Sequence, residues 1–367
     1  MATAFDYLDW RGDITFSEVG LNEVDSLLLS MICYIDFDGI VPAEHGDKSI
    51  QFLAAARQYL REHKGEQAYI GAIIPPALVT LLAKAAKTKR FGSIRLCGYV
   101  NQVIPETQKQ FSALTYLLGN GDIYVAYRGT DDTLVGWKEN FNMSFMDTVP
   151  SQLEAVKYLE SAAGLAEGGI YSGGHSKGGN LAVYATVKCS PALKEKIVMT
   201  YNNDGPGFSK AFISDLDYQN VKGKIRTLIP ESSIVGMLLE HEENYEVVKS
   251  VQTGIMQHDS SSWEILGSKF IHLNTISEES KKIDQTLKNW LGEMDNKQRE
   301  EFVDAIYETL TATNATTLTD ISTDKIKLLK AWGGLSDENK SIIMKSIRLL
   351  FKENMKIIKP KKKDKEK

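Results

Sequence analysis

The chain has 367 residues, enough for one large domain and a smaller one, and its 43% hydrophobic and 25% charged residues predict a packed globular core. Net charge is −5, but from Lys352 onward eight lysines face three acids, which leaves −10 for the body and excludes a nucleic-acid footprint. Cys33, Cys97 and Cys189 are widely spaced and odd in number, which excludes a disulfide framework and a zinc site and fits a reducing cytoplasm; no metal or cofactor is implied.

In chain order, the N-terminus lacks a basic segment followed by an apolar one, and no apolar run reaches about 18 residues, so neither secretion nor a membrane span is expected. Residues 26–34, 50–60 and 76–85 carry helical periodicity, the last with proline in its first turn. Residues 94–100, 111–118 and 123–127 predict strands, and Gly119-Asn-Gly-Asp122 marks a hairpin turn between the second and third. A short apolar segment, 168–172, then predicts a buried strand. It runs into Tyr171-Ser-Gly-Gly-His-Ser-Lys-Gly-Gly-Asn180, and residues 180–188 beyond are helical. Three more strands are expected at 196–201, 225–229 and 245–251. Alternating helices and strands of this kind predict an α/β protein. Its sheet should be largely parallel and helix-covered, with antiparallel pairing on the N-terminal side.

Gly174, Ser176 and Gly178 have the G-x-S-x-G spacing of a nucleophile elbow, and the strand before and helix after are the context that motif demands. Serine is a poor nucleophile until a histidine takes its proton, and the imidazole needs a carboxylate to fix its tautomer. In the α/β-hydrolase order of nucleophile, acid and histidine, only His241, His258 and His272 follow Ser176. His241 lies in an acidic, solvated run and His272 in an apolar context that suits packing. His258 follows the last expected strand in a glycine-containing loop and is the candidate base. His175, inside the turn, is expected to point away from the serine.

Val125-Ala-Tyr-Arg-Gly-Thr130, followed by Trp137 and Asn140, resembles the strand and oxyanion loop of class 3 (fungal-type) lipases. With Gly174-His-Ser-Lys-Gly178, Asn203 to Phe208 and Gln257 to Asp259, the chain is still more similar to a bacterial branch of α/β-hydrolases related to those lipases. The resemblance covers roughly residues 1–270. It implies an α/β-hydrolase fold and a serine ester hydrolase, lipase- or esterase-like. Asp204, after the strand that follows the elbow helix, is the first candidate for the acid. Class 3 lipases usually carry it after the next strand, where this chain offers Glu231 and then serines, so Glu231 is second. The N–H of Lys177 and the N–H and hydroxyl of Thr130 are the candidate oxyanion donors. The Lys177 side chain is expected at the surface, and Arg128 is read as a brace.

Three units are expected: a hydrolase domain over 1–272, a helical unit over 273–351 and a basic flexible tail over 352–367. In the second, Ile283, Leu287, Trp290, Leu291 and Met294, then Phe302, Ile306 and Leu310, form helical stripes that suit packing surfaces. The predicted substrate is a small-molecule or lipid carboxylic ester. Two other functions use the same residues or fold: acyl transfer to an acceptor other than water, and a non-catalytic scaffold that binds a partner or membrane. The tail also has two readings, a solvated end or a peripheral contact with an anionic membrane, where each lysine near the headgroups is worth about 1 kcal/mol. In the second reading, cosedimentation with anionic vesicles is salt-sensitive and is lost when the chain ends at Lys352. Equal binding by both lengths removes the tail from any membrane role.

Overall fold

Residues 123–127 are apolar except for their tyrosine hydroxyls, and in the computed structural model they form a strand buried along its whole length. Ile123, Val125 and Tyr127 face one hydrophobic cluster while Tyr124 and Ala126 face another. Such two-sided burial requires helices on both faces of the sheet. The structure describes residues 1–64, 77–239, 245–313, 315–323 and 331–358. His241 and the lysines from 359 onward lie outside them.

The N-terminal third contributes α1 (Ala4–Arg11), α2 (Glu23–Ile32), β1 (Ile50–Gln51), α3 (Phe52–Glu62), α4 (Ala77–Ala85) and α5 (Lys89–Gly92). β2 (Arg95–Ile104), β3 (Lys109–Leu117), β4 (Ile123–Tyr127), α6 (Leu134–Asn142) and α7 (Pro150–Ala162) follow. Next come β5 (Ile170–His175), α8 (Lys177–Lys188), α9 (Pro191–Lys196), β6 (Ile197–Asn203), α10 (Lys210–Ile213), α11 (Leu216–Val221) and β7 (Ile225–Pro230). β8 (Glu246–Val248), β9 (Ile265–Leu266), β10 (Lys269–Phe270) and β11 (His272–Leu273) lead to α12 (Glu278–Gly292), α13 (Asn296–Thr311), α14 (Leu318–Thr323) and a C-terminal helix, Asp337–Ile358.

Nine strands form one sheet in the order β1-β2-β3-β4-β5-β6-β7-β8-β11. β4 to β8 pair in parallel. β1 to β4 pair antiparallel, and so do β8 and β11. The protein is thus α/β, but its sheet is mixed rather than largely parallel, and antiparallel pairing also closes the C-terminal edge. β11 has only two residues, too few to show any periodicity in sequence. α2 covers one face of the central strands, while α7 and α8 cover the other. On the α2 side a bidentate ion pair, Arg90 Nε and Nη2 to Asp25 at 2.7 and 2.5 Å, is fully buried. Arg90 also donates to the carbonyls of Ile14, Thr15, Val19 and Gly20, so its remaining donors are satisfied.

Because β4 to β8 run the same way, the loops after β4, β5, β6 and β7 all open at one edge, the place where open parallel sheets hold their sites. α12 and α13 pack on the C-terminal helix, where Ile343 is buried and Trp290 Nε1 donates to Ser346 O at 2.9 Å. Ile347, one turn further along, is exposed. The helix runs to Ile358, so residues 352–358 continue it where the sequence predicts the start of a flexible tail. Among the described residues no helix is long and apolar enough to cross a membrane.

Candidate active site

Ser176 sits between β5 and α8 with φ 57° and ψ −133°, a backbone conformation that a serine rarely adopts and that costs on the order of 1–3 kcal/mol. Close packing holds it there. A Cβ on Gly178 would lie 2.1 Å from Tyr127 O, so α8 can approach β4 only through a glycine. Ser176 N–H donates to Asn203 O at 2.9 Å, and Asn203 Nδ2 donates to Gly174 O at 3.1 Å, which locks the turn to the end of β6. Lys177 is the first residue of α8. Its N–H therefore has no partner within the helix and points, with the positive end of the helix dipole, toward the serine's surroundings.

Asp204 follows β6 and is fully buried, with φ 52°. Its Oδ2 lies 2.6 Å from His258 Nδ1, on the short helical turn Gly254–His258 after β8. A carboxylate can only accept, so Nδ1 carries the hydrogen and Nε2 is left as the acceptor. The other oxygen, Oδ1, accepts from Ser233 Oγ at 2.5 Å and from Gly236 N–H at 3.1 Å. Glu231, at the end of β7, is half-buried and does not reach His258; its backbone pairs instead with Val248 and Ser277. Ser233 and Gly236 were not anticipated from sequence. The serines that stand where the resemblance expects an acid include the one whose hydroxyl orients Asp204.

Thr130 follows β4 and lines the same cavity as Ser176 and His258. Its hydroxyl is buried with no hydrogen-bond partner. The preceding Gly129 passes so near the elbow that a Cβ on it would lie 2.1 Å from Tyr34 Oη and 2.6 Å from His175 O. Arg128 braces this loop by donating to Asn101 Oδ1 at 3.0 Å and Asp131 Oδ2 at 2.8 Å. Lys177 overturns its expectation: the side chain is wholly buried, and Nζ donates to Glu139 Oε2 at 2.9 Å and Gln110 O at 2.7 Å. Burial depresses the ammonium below its usual range, and Glu139 offsets part of that effect. Glu139 also accepts from the backbone N–H of Gln110 and of Ser151, at 2.9 and 2.8 Å.

His175 does not turn away from the site. Its Nε2 donates to His258 O at 2.8 Å, and the two rings lie 4.6 Å apart. Since the carbonyl can only accept, His175 Nδ1 is the acceptor for Tyr34 Oη at 3.3 Å. Burial, and then the neighbouring His258, push its pKa well below the ordinary 6.5, so it stays neutral and props the His258 loop. His272 is exposed rather than packed, between Glu23 and Glu246 at 3.3 Å each. Among the described residues no cluster of three or more His, Cys, Asp or Glu side chains could hold a metal ion.

The cavity at Ser176 has a volume of about 520 Å³ and is walled mainly by apolar side chains. Leu287, Trp290 and Leu291 of α12 and Met294 just beyond it line it, joined by Phe302 and Val303 of α13. All but Val303 belong to the stripes expected as packing surfaces, and they also face the serine's cavity.

The Mbeg1-like family model matches residues 85–308 of the chain. No curated protein matches it. Among solved structures the chain is similar to the native Rhizomucor miehei lipase propeptide complex, at 15% identity and a TM-score of 0.33, over 43% of this chain. That alignment spans 57% of the Rhizomucor lipase chain, so the two share little more than half of its length. M37 lipase is similar at 17% identity and a TM-score of 0.37, over 58% of this chain and 69% of its own.

Two outcomes are expected from this geometry. Glu139→Ala strands a buried ammonium and two backbone N–H groups and should cost about 3–5 kcal/mol in denaturant unfolding, whereas Lys177→Met, which leaves Glu139 two N–H partners, should cost less. The reverse ranking would make the lysine the anchor. For His175, the unfolded chain takes up a proton near pH 6.5 while the native state does not, so acid favours unfolding. Below pH 6.5 this residue should steepen the loss of stability by up to about 1.4 kcal/mol per pH unit. Melts of His175→Gln from pH 7 to 5 should show a slope shallower by that amount, and an unchanged slope would mean that His175 is protonated in the native state.

Proposed function

Because the chain belongs to the Mbeg1-like family and brings Ser176, His258 and Asp204 to one edge of its sheet, we propose that it is a serine hydrolase of the α/β-hydrolase fold, cleaving a carboxylic ester through an acyl-enzyme on Ser176. The contact of His258 Nδ1 with Asp204, beside the strained serine turn, carries this reading. It sets the tautomer in which Nε2 is free to take the Ser176 Oγ proton.

In the proposed reaction, Oγ attacks the ester carbonyl carbon as Nε2 takes its proton, and the carbonyl oxygen becomes an oxyanion. The N–H groups of Thr130 and Lys177 receive that charge, with Thr130 Oγ1 as a third donor. His258 then returns the proton to the departing alkoxide. Water repeats the sequence on the acyl-enzyme and frees the acid. The serine–imidazole hydrogen bond is commonly long before substrate binds and tightens in the complex. Asp204, fully buried and held by three donors, stabilises the imidazolium in both half-reactions. A scaffold that only binds a partner has no use for a strained serine turn beside an oriented imidazole. The three cysteines, all buried and unpaired, suit a reducing compartment, and we place the enzyme in the cytoplasm.

Ser176→Ala should fold normally and lose both fluorophosphonate labelling and turnover of p-nitrophenyl acetate. Asp204→Asn should lower turnover by about 10³- to 10⁴-fold, because it presents the wrong tautomer, while Glu231→Gln should change it little. Labelling that persists in Ser176→Ala would remove the serine from the chemistry.

A further inference from the structure

We infer that the helical unit beginning at α12 is the chain-binding wall of this site, and that the substrate's acyl part is a hydrocarbon chain lodged against it. The inference rests on the hydrolase reading for its chemistry but on the cavity for its content. Six side chains of this unit, Leu287, Trp290, Leu291, Met294, Phe302 and Val303, share one cavity with Ser176 and His258. All six are apolar but for the Trp290 indole N–H, which is engaged by Ser346 O. The unit's one charged lining residue, Arg299, turns its guanidinium to the carbonyls of Leu291 and Ser144. A wall this predominantly apolar favours hydrocarbon over a polar acyl group, whose hydrogen bonds with water it replaces poorly.

The unit is fixed across the site on both sides, as a wall must be. Near the acid, Ser277 N–H donates to Glu231 O at 2.8 Å and Ser280 Oγ donates to Ser233 O. Near the oxyanion loop, Leu134 N–H donates to Thr316 O at 2.9 Å, Leu318 N–H to Asp132 O at 3.0 Å, and Lys138 pairs with Asp304 at 2.8 Å. Arg299 closes the span, with Nη1 on Ser144 O and Nη2 on Leu291 O, both at 2.6 Å. Both α12 and α13 also pack on the C-terminal helix, so their cavity-facing side chains have a rigid backing.

The test is a series of p-nitrophenyl esters from acetate to palmitate, together with displacement of a dansyl-labelled fatty acid. In the native protein kcat/KM should rise with chain length by up to about fourfold per methylene until the cavity is full. Leu291→Trp and Leu287→Phe, each verified by its melting curve, should cut the octanoate-to-acetate ratio of kcat/KM at least tenfold. The Ser176→Ala protein should bind the dansyl fatty acid saturably, and adding Leu291→Trp should abolish that binding. Chain binding without any ester turnover would sink the hydrolase chemistry and keep the wall. Acetate turnover with an unchanged chain-length ratio in both filled variants, or no saturable binding by Ser176→Ala, would overturn the wall.

Discussion

The buried ion pair between Lys177 and Glu139 is the constraint on which the rest of the site depends. Lys177 is the first residue of α8, and its backbone immediately follows the strained serine. Its ammonium reaches across the end of the sheet to β3 and α6, and Glu139 in turn receives the backbone of Gln110 in β3 and of Ser151 at the start of α7. Four elements meet at one carboxylate. A surface lysine would leave the elbow held by packing and by the Asn203 hydrogen bonds. A buried one, whose charge costs several kcal/mol to desolvate unless paired, allows α8 only the position in which Nζ meets its partners. The strain at Ser176 persists because the surrounding structure over-determines it, and this pair is a large part of that surrounding.

A second layer of constraint orients the imidazole. Asp204 holds one side of the His258 ring, and His175 holds the carbonyl of the same residue. Tyr34 then fixes His175 from α2's end of the molecule. Keeping His175 neutral matters here, because a second cation 4.6 Å from His258 would oppose the imidazolium that the proposed mechanism requires. The histidine beside the nucleophile thus acts through another residue's backbone.

How much of this was legible in the sequence depended on whether a feature was local. β4 could be read because a strand buried on both faces is apolar throughout, and the hairpin before it because Gly119-Asn-Gly-Asp122 is turn chemistry. The elbow was legible from its glycine spacing, and His258 from chain order. What escaped were properties set by partners distant in sequence. No local pattern distinguishes Lys177, paired 38 residues away, from an exposed lysine. β11 is too short to carry a period, and the run of serines near 232 hid a donor to Asp204 because a lone hydroxyl has no signature until its acceptor is in place. The α12 stripe was visible as apolar. Its cavity-facing role was not, because periodicity reports that a face is shielded from water and says nothing about what shields it.

The acid loop joins these layers. Ser233 gives its hydroxyl to Asp204 and its carbonyl to Ser280 of α12, so one residue connects the proposed charge-stabilising carboxylate with the helical unit that walls the cavity. Gly236, next in the same loop, approaches Asp204 so closely that a Cβ there would lie 2.3 Å from Oδ1. The loop therefore has little freedom to shift without moving the acid, and α12 has little freedom to lift without pulling on the loop. Hydrogen-bonded partners of this kind couple more strongly than distant pairs, since the loss of one leaves the others buried and unsatisfied. Under the proposed mechanism, the geometry that prepares the imidazole and the geometry that walls the cavity are consequences of a single packing arrangement.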